Sequence, residues 1–576
     1  MKSWNCEKVK ASATNKIRLF CKNPPVCCTF VANVFSLPNL SSMTANTDQN
    51  LVSATKPQLL AFVQGIIGYP IDAYAIVAVL ETYGLRDVDA QERFGADNVF
   101  ALAEELFIEF RQRAKRYPYI PTSQEIKRLP GWQRFLLYYV RGIVSNAPWA
   151  LQITSLLLFG YAFGVYAKFD GKQVTVAGVG MMLSFLVSGG FVQALGRMAS
   201  FYNGQHSYAL TRQVYYRLWT FGVVAMVMSA FALDGLNWFV PLFPEESLMI
   251  GLAYYVCCGV MSLSLTLFYT LNKHAGLFGS TLAGVVVMAI VMEYTPLSIY
   301  VAHWMGFLVT SAVGFVWIHR ILKKLTDTIS KQQRSVELPR LVALLPSIAP
   351  YFLAGMLYFA FLLTDRLVSW SLTPEGIFLK LWIHAGYEIL LLWAFAAFSL
   401  ILPLLEYIGD DFGTMLGRTQ AQFGIGSRAE HNATFIDRYL RYWLMLVGTA
   451  VVVGLCIYAL YSITRDATGN ALLYRSFSSP ALARQVVACG IIGYSVLVLG
   501  LMNNIILYTL SRPRKVIQAF LWAIIGNAAL GFWLTRSFGY WYSVVGMTFG
   551  AFIFAALTTR AVMQALREMD YSCYAA

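Results

Sequence analysis

The sequence predicts an all-α, polytopic membrane protein. About twelve transmembrane helices form two six-helix lobes, and a small N-terminal soluble helical domain precedes them. Three observations carry this. Of 576 residues, 57% are hydrophobic and 13% charged, whereas a soluble domain carries about 25% charged residues. From Pro148 onward, apolar runs long enough to cross a bilayer follow one another with polar breaks between them. Two of these runs open alike: Ser145-Asn-Ala-Pro-Trp149 and Ser347-Ile-Ala-Pro-Tyr351. An even number of crossings separates the two openings, so the copies face the same way, as in one six-helix unit used twice.

Residues 1–55 read as a disordered leader or an over-extended start, with initiation expected at Met43. The stretch is basic (Lys2, Lys8, Lys10, Lys16, Arg18, Lys22), and Pro24–Pro25 interrupts its one apolar patch. Residues 56–140 read as a cytoplasmic helical domain. Asp72–Tyr83 has a helical pattern closed by Gly84. Asn98 is placed to cap a helix in which Val99, Leu102, Leu106 and Phe110 share one face. Glu92, Asp97, Glu104, Glu105 and Glu109 form its solvated face. Thr122-x-x-Glu125 is a capping-box pattern opening another helix, and Pro130 ends or bends it.

The twelve apolar spans run approximately 148–167, 174–195, 217–234, 247–271, 275–293, 297–318, 343–364, 377–405, 442–463, 483–510, 516–535 and 540–560. They group as a first lobe at 141–320 and a second at 342–565. A basic cytoplasmic linker at 321–341 joins them, and 566–576 is a cytoplasmic tail. Lys and Arg concentrate in alternate loops, which puts both termini on the cytoplasmic side. The net charge of +14 therefore belongs to loops facing the cytoplasm. There is no basic stripe beside stacking aromatics, so no nucleic acid partner is expected.

Ionisable groups inside hydrocarbon are costly, so they pair or line water. Asp365–Arg366 ends the seventh span. Lys380, His384 and Glu388 open the eighth at spacings of four, which on one helix makes a single stripe. These groups, with Asn503 and Asn527, are the candidate substrate or ion pathway. The residues leave two roles open: ion binding, proton relay or polar-substrate contact, or a structural network between spans seven and eight. Lys380 fits a snorkelling interface residue, Asn503–Asn504 fit interhelical bonding, and Glu293 and Arg536 fit interface anchors.

Several chemistries find no residues here. The chain has no Gly-x-x-x-x-Gly-Lys-Ser/Thr loop, no His-Glu-x-x-His and no Gly-x-Ser-x-Gly elbow. The cysteines have no zinc spacing, and Cys257–Cys258, Cys456 and Cys489 sit in apolar spans as packing residues. No catalytic residue, metal or cofactor is assigned, and the expectation is a transporter and not an enzyme.

Arg141-Gly-Ile-Val-Ser-Asn-Ala-Pro-Trp-Ala-Leu-Gln-Ile153 and Ala349-Pro-Tyr-Phe-Leu-Ala-Gly-Met-Leu-Tyr358, continuing to Asp365–Arg366, resemble the multidrug/oligosaccharidyl-lipid/polysaccharide flippase (MOP) superfamily. Within it they resemble the integral membrane subunit of Pel-type exopolysaccharide export (PelG-like). The resemblance covers roughly 135–570 and implies two six-helix lobes around a central cavity, with Asp365 and Arg366 at its rim. It implies a flippase of the bacterial cell inner membrane that moves a polysaccharide or lipid-linked saccharide by alternating access. Its partners would be membrane lipid, the polysaccharide, and a glycosyltransferase with other exopolysaccharide biosynthesis and export subunits. The soluble domain at 56–140 departs from the usual short amino terminus of that superfamily. The competing readings are an ion-coupled drug or metabolite antiporter and a membrane glycosyltransferase or polymerase. The latter would need an acidic pair in a large external loop, and the longest expected one is 462–484.

Overall fold

A computed structural model describes residues 55–67, 73–116, 131–166, 168–205, 207–241, 244–327, 338, 341–372, 381–422, 428–467 and 480–569. The expected leader, the capping box at Thr122, most of the basic linker, Lys380 and the tail beyond Met569 lie outside the described residues. The chain divides into two compact units. One is drawn from Met1–Pro130, Asp410–Arg441 and Met563–Ala576, the other from Gly131–Gly409 and Tyr442–Val562.

The first unit holds α1 (Lys56–Ile67), α2 (Ala73–Thr82), α3 (Asp87–Phe94) and α4 (Val99–Arg116). The Asn98 side chain accepts the Ala101 N–H at 2.8 Å, starting α4. Val99, Leu102, Leu106 and Phe110 are buried in one core with Leu59, Leu60, Ile76 and Leu80. Gly84 takes a positive φ of 91° where α2 ends. The three-and-four spacing thus becomes a closed apolar centre with Glu92, Asp97, Glu104 and Glu105 outside it. The other segments of this unit are tied by Asn432, which donates to the Arg567 carbonyl at 2.8 Å, and by Arg438 beside Asp411 at 3.7 Å.

The second unit opens with α5 (Gly131–Ser145) and α6 (Ala147–Phe159). There follows a two-stranded hairpin, β1 (Tyr161–Ala162) and β2 (Val165–Tyr166). Then come α7 (Gly171–Gly204), α8 (Tyr208–Phe239), α9 (Glu245–Thr270), α10 (His274–Tyr294) and α11 (Ile299–Asp327). The later half is α12 (Leu341–Trp370), α13 (Ala385–Ile401), α14 (Pro403–Gln422), α15 (Arg428–Ala467), α16 (Pro480–Thr509), α17 (Pro513–Phe538) and α18 (Ser543–Arg567). Helices α14, α15 and α18 run on into the first unit.

Eleven helices among the described residues are long and apolar enough to cross a membrane, with α13 and α14 counting together as one. The span expected at 148–167 is different. Gly160, in the left-handed region at φ 78°, caps α6 after 13 residues, and the hairpin takes the rest. The break at Asn146 separates α5 from α6. The expected first span is therefore not one long apolar helix, and eleven span-length helices, not twelve, are seen among the described residues. Pro350 is tolerated differently: α12 runs unbroken through Pro346 and Pro350.

Four packing pairs recur in the same chain order in each half. Helix α7 packs on α9 as α13 packs on α16, and α6 on α10 as α12 on α17. Helix α9 meets α11 as α16 meets α18, where Gly500 faces Phe554. Helix α10 meets α11 as α17 meets α18, each pair crossing at glycines: Gly284 with Gly306, and Gly531 with Gly546. The turns repeat as well. Tyr269-Thr-Leu-Asn-Lys273 joins α9 to α10, and Tyr508-Thr-Leu-Ser-Arg512 joins α16 to α17. Asn272 (φ 53°) and Ser511 (φ 56°) both enter the left-handed region. In both, the residue after it donates back to the carbonyl five before, Lys273 to Phe268 at 2.9 Å and Arg512 to Leu507 at 2.8 Å.

Helices α7 and α12 join the halves and run antiparallel. At one end Thr175 Oγ1 accepts the Ile383 N–H at 3.1 Å, and at the other Arg197 lies over the Tyr351 ring at 5.1 Å. Between these points Gly189 and Gly355 bring the two backbones together. Lipid offers helices no hydrophobic drive to associate, so such small-residue approaches set the packing.

A Cβ on Gly355 would fall inside contact distance of the Gly189 carbonyl, whereas one on Gly196 would meet nothing within 4 Å. Gly355→Ala is therefore expected to destabilise by about 1–3 kcal/mol. Gly196→Ala should be neutral or mildly stabilising. Thermal unfolding of the purified variants in one detergent reads the difference.

Candidate functional site

Helix α12 carries Asp365 and Arg366 in consecutive positions near its end, and α13 brings Tyr387 and Glu388 back alongside. The sequence doublet and Glu388 therefore meet. Arg366 donates from Nε to Glu388 Oε2 at 3.3 Å, from Nη2 to the Tyr494 hydroxyl at 3.2 Å and from Nη1 to the Leu362 carbonyl at 3.0 Å. The other Glu388 oxygen accepts the Trp370 indole N–H at 3.0 Å. Tyr387 donates to Asp365 Oδ2 at 3.2 Å and accepts from the Ser543 hydroxyl at 2.8 Å. Asp365 Oδ1 has no hydrogen-bond partner and lies 3.6 Å from Arg366 Nη1.

Asp365, Trp370, Tyr387, Tyr494 and Ser543 are buried, while the side chains of Arg366 and Glu388 keep 12% and 25% exposure. The constellation thus runs from a closed interior at Asp365 to a partly open rim at Glu388. It draws on α12, α13, α16 and α18. Two carboxylates share one guanidinium, so with all three ionised the cluster carries one negative charge. In low dielectric that surplus favours a proton or a cation beside a carboxylate oxygen. The chemistry within reach is reversible binding of a positive charge or hydrogen bonding to a polar cargo.

The other candidates separate from this cluster. His384 is the residue before α13, not part of a helical stripe with Glu388. Among the described residues of the expected eighth span, 377–405, those at 381–384 are not helical and α13 begins at Ala385. The His384 ring stacks on Tyr540 at 3.9 Å between centroids, and Nε2 lies 3.0 Å from the Leu372 carbonyl. It ties the start of α13 to Leu372, just past the end of α12. Asn503 donates to the Thr558 and Thr559 hydroxyls at 3.1 and 2.9 Å, tying α16 to α18. Asn527 donates to the Phe361 carbonyl at 3.4 Å, and its Oδ1 is buried without a hydrogen-bond partner. Arg536 donates to the Ser371 carbonyl and hydroxyl at 3.2 and 3.1 Å, holding α17 to the end of α12.

Sequence reasoning missed the aromatic and hydroxyl groups around Arg366. Tyr387, Tyr494 and Trp370 look like membrane core residues until the fold turns their polar tips to one point. It also missed His303, which lies inside an apolar span. His303 is buried in the first half, its Nδ1 2.6 Å from the Tyr254 hydroxyl. Phe169 and Tyr300 stack beside it. Among the described residues no group of three His, Cys, Asp or Glu could hold a metal ion.

Arg366→Met leaves two carboxylates without their cation and should cost roughly 3–5 kcal/mol. Adding Asp365→Asn and Glu388→Gln should recover most of that loss. Tyr387→Phe should cost about 1–3 kcal/mol, since it strips Asp365 and Ser543 of a partner. Unfolding midpoints in detergent order these variants.

No protein-family profile matches the chain, and no curated protein matches it. Solved structures do. A mutant of the Vibrio cholerae MATE transporter VcmN is similar at 14% identity and a TM-score of 0.54, over 76% of this chain and 97% of that one. A MOP superfamily transporter from Pyrococcus furiosus, described by the reverse polarity of its binding pocket, matches at 11% identity and 0.51, over 75% and 96%. An outward-facing multidrug resistance MATE family transporter of the MOP superfamily matches at 12% identity and 0.50, over 77% and 98%. The chain therefore has the fold of the MATE transporters of the MOP superfamily, reached with about three quarters of its length.

Proposed function

We propose that this protein is a membrane transporter of the MOP type that moves a polysaccharide or lipid-linked saccharide across the bacterial inner membrane by alternating access. The observation that carries transport is the Asp365–Arg366–Glu388 constellation, a partly open ionisable cluster inside the spans of a duplicated bundle. A fold with no job but to sit in lipid has no use for an unbalanced buried charge. Two parallel halves joined along α7 and α12 can rock about that seam and expose an interior site to either side in turn. Asp365 and Glu388 would take up the coupling proton or cation, with Arg366 holding the second charge in place. His384, Asn503 and Asn527 would act as supports of this pathway.

The saccharide cargo rests on the resemblance of the 141–153 and 349–366 segments to Pel-type export proteins. The expected partners, a glycosyltransferase and further secretion subunits, follow from the same reading, while the cytoplasmic termini follow from the Lys and Arg of alternate loops. A drug or metabolite antiporter is the second reading, favoured by the multidrug transporter among the structural neighbours. The Pyrococcus furiosus neighbour, with its reversed pocket polarity, is a reason not to take cargo from fold.

Deleting the gene in its native host should abolish surface polysaccharide and leave sensitivity to cationic drugs unchanged. The reverse pattern would install the antiporter reading. Complementation with Asp365→Asn or Glu388→Gln, at matched membrane levels, should restore about a tenth of secretion, one tenfold step for ~1.4 kcal/mol. Full secretion by both variants would leave the cluster structural.

A further inference from the structure

The two halves are clasped a second time, away from the Asp365 cluster, at the end of the unit that carries the α9–α10 and α16–α17 turns. On one seam, Glu406 of α14 reaches the first half. Its Oε1 lies 3.7 Å from Arg141 Nε on α5 and 3.9 Å from His274 Nε2 at the start of α10. The other ring nitrogen of His274 is 2.9 Å from the Ser145 hydroxyl. Around this contact, Asn146 donates to the Ser399 carbonyl at 3.0 Å and Tyr139 to the Leu400 carbonyl at 2.9 Å. Gly142 lies so near Pro403 that a Cβ there would sit 2.6 Å from its Cα.

On the other seam the roles of the halves are exchanged. Arg197 of α7 reaches the second half, with its guanidinium over Tyr351 of α12. Its Nη2 donates to the Ser511 hydroxyl at 3.4 Å, in the turn that opens α17. The two contacts correspond through the repeat. Each starts near the end of the second crossing of its own half. Each lands on the first crossing of the other half, at Arg141 or Tyr351, four residues from Ser145 or Ser347, and at or just past the Tyr-Thr-Leu turn. One uses a carboxylate and the other a guanidinium.

We infer that Glu406 and Arg197 are the paired gate residues of this mouth, and that the halves part there only when both contacts break. This rests on the alternating-access reading above. Both residues are partly exposed, so each contact is weak enough to open in a working cycle. The glycine and backbone contacts along α7 and α12 supply the hinge that remains when they do. Neither residue belongs to the Asp365 cluster, so the gate and the cargo site can be separated by mutation.

Spin labels at Ala275→Cys and Arg514→Cys, exposed and equivalent starts of α10 and α17, measure the mouth by pulsed dipolar spectroscopy. The full chain is used in nanodiscs, with its own cysteines replaced. Glu406→Gln and Arg197→Gln should each raise the long-distance population about two- to fivefold, and the double variant by roughly the product. Glu406→Asp should behave nearly as the parent. Gly142→Leu, a wedge that leaves every charge in place, should open the same mouth. An unchanged distance distribution in the double variant overturns the proposal, whether or not the wedge acts. A mouth that opens as stated in a protein with neither saccharide nor drug transport keeps the gate and sinks the transport reading.

Discussion

The backbone approach of α7 and α12 at Gly189 and Gly355 is the constraint on which the rest of the bundle depends. Two halves in lipid gain nothing from burying apolar surface against each other, because the solvent is itself apolar. They are held by close packing and by polar groups that have no better partner. Gly189 and Gly355 set the point at which α12 crosses α7. Arg197 then meets Tyr351 near one end, and Thr175 meets the Ile383 backbone near the other. The Asp365 cluster is carried by the same helix, about one and a half turns from the end of α12 at Trp370.

That geometry explains why the charges fall where they do. Asp365 cannot reach water, so its charge is compensated within the protein by Tyr387 and Arg366. Arg366 in turn spreads its donors over Glu388, Tyr494 and its own helix, which satisfies the fork without leaving the bundle. Glu388 stands where α13 begins, so it alone of the acids combines partial exposure with a hydrogen bond to a buried indole. Exposure falls from Glu388 through Arg366 to Asp365.

Much of this was legible in the sequence, and the failures have physical causes. The apolar spans read well because bilayer thickness imposes a length that composition reveals. The first span read poorly because Gly160 and Gly164 allow a hairpin that hydropathy does not register. The stripe of Lys380, His384 and Glu388 assumed a helix already formed at residue 380. His384 instead precedes α13, and its ring is drawn to Tyr540. The doublet and Glu388 were found because charge inside an apolar run is conspicuous. Tyr387, Tyr494 and Trp370 were not, because nothing in a linear sequence tells a tyrosine that bonds to arginine from one that fills space.

The two Pro-aromatic openings differ in the structure: one lies at a helix break, the other inside a continuous helix. The stronger internal match is Tyr269–Lys273 with Tyr508–Arg512, where residue types, left-handed turn and hydrogen bonds all agree. A turn of this kind constrains sequence more tightly than a span does. Its fourth residue must accept a left-handed backbone, which Asn272 does readily and Ser511 does against the usual preference, while the spans need only be apolar. In this chain the duplication is better traced through the short turns than through the helices. Here the turns also mark the mouth at which Glu406 and Arg197, one from each half, close the two seams with opposite charge.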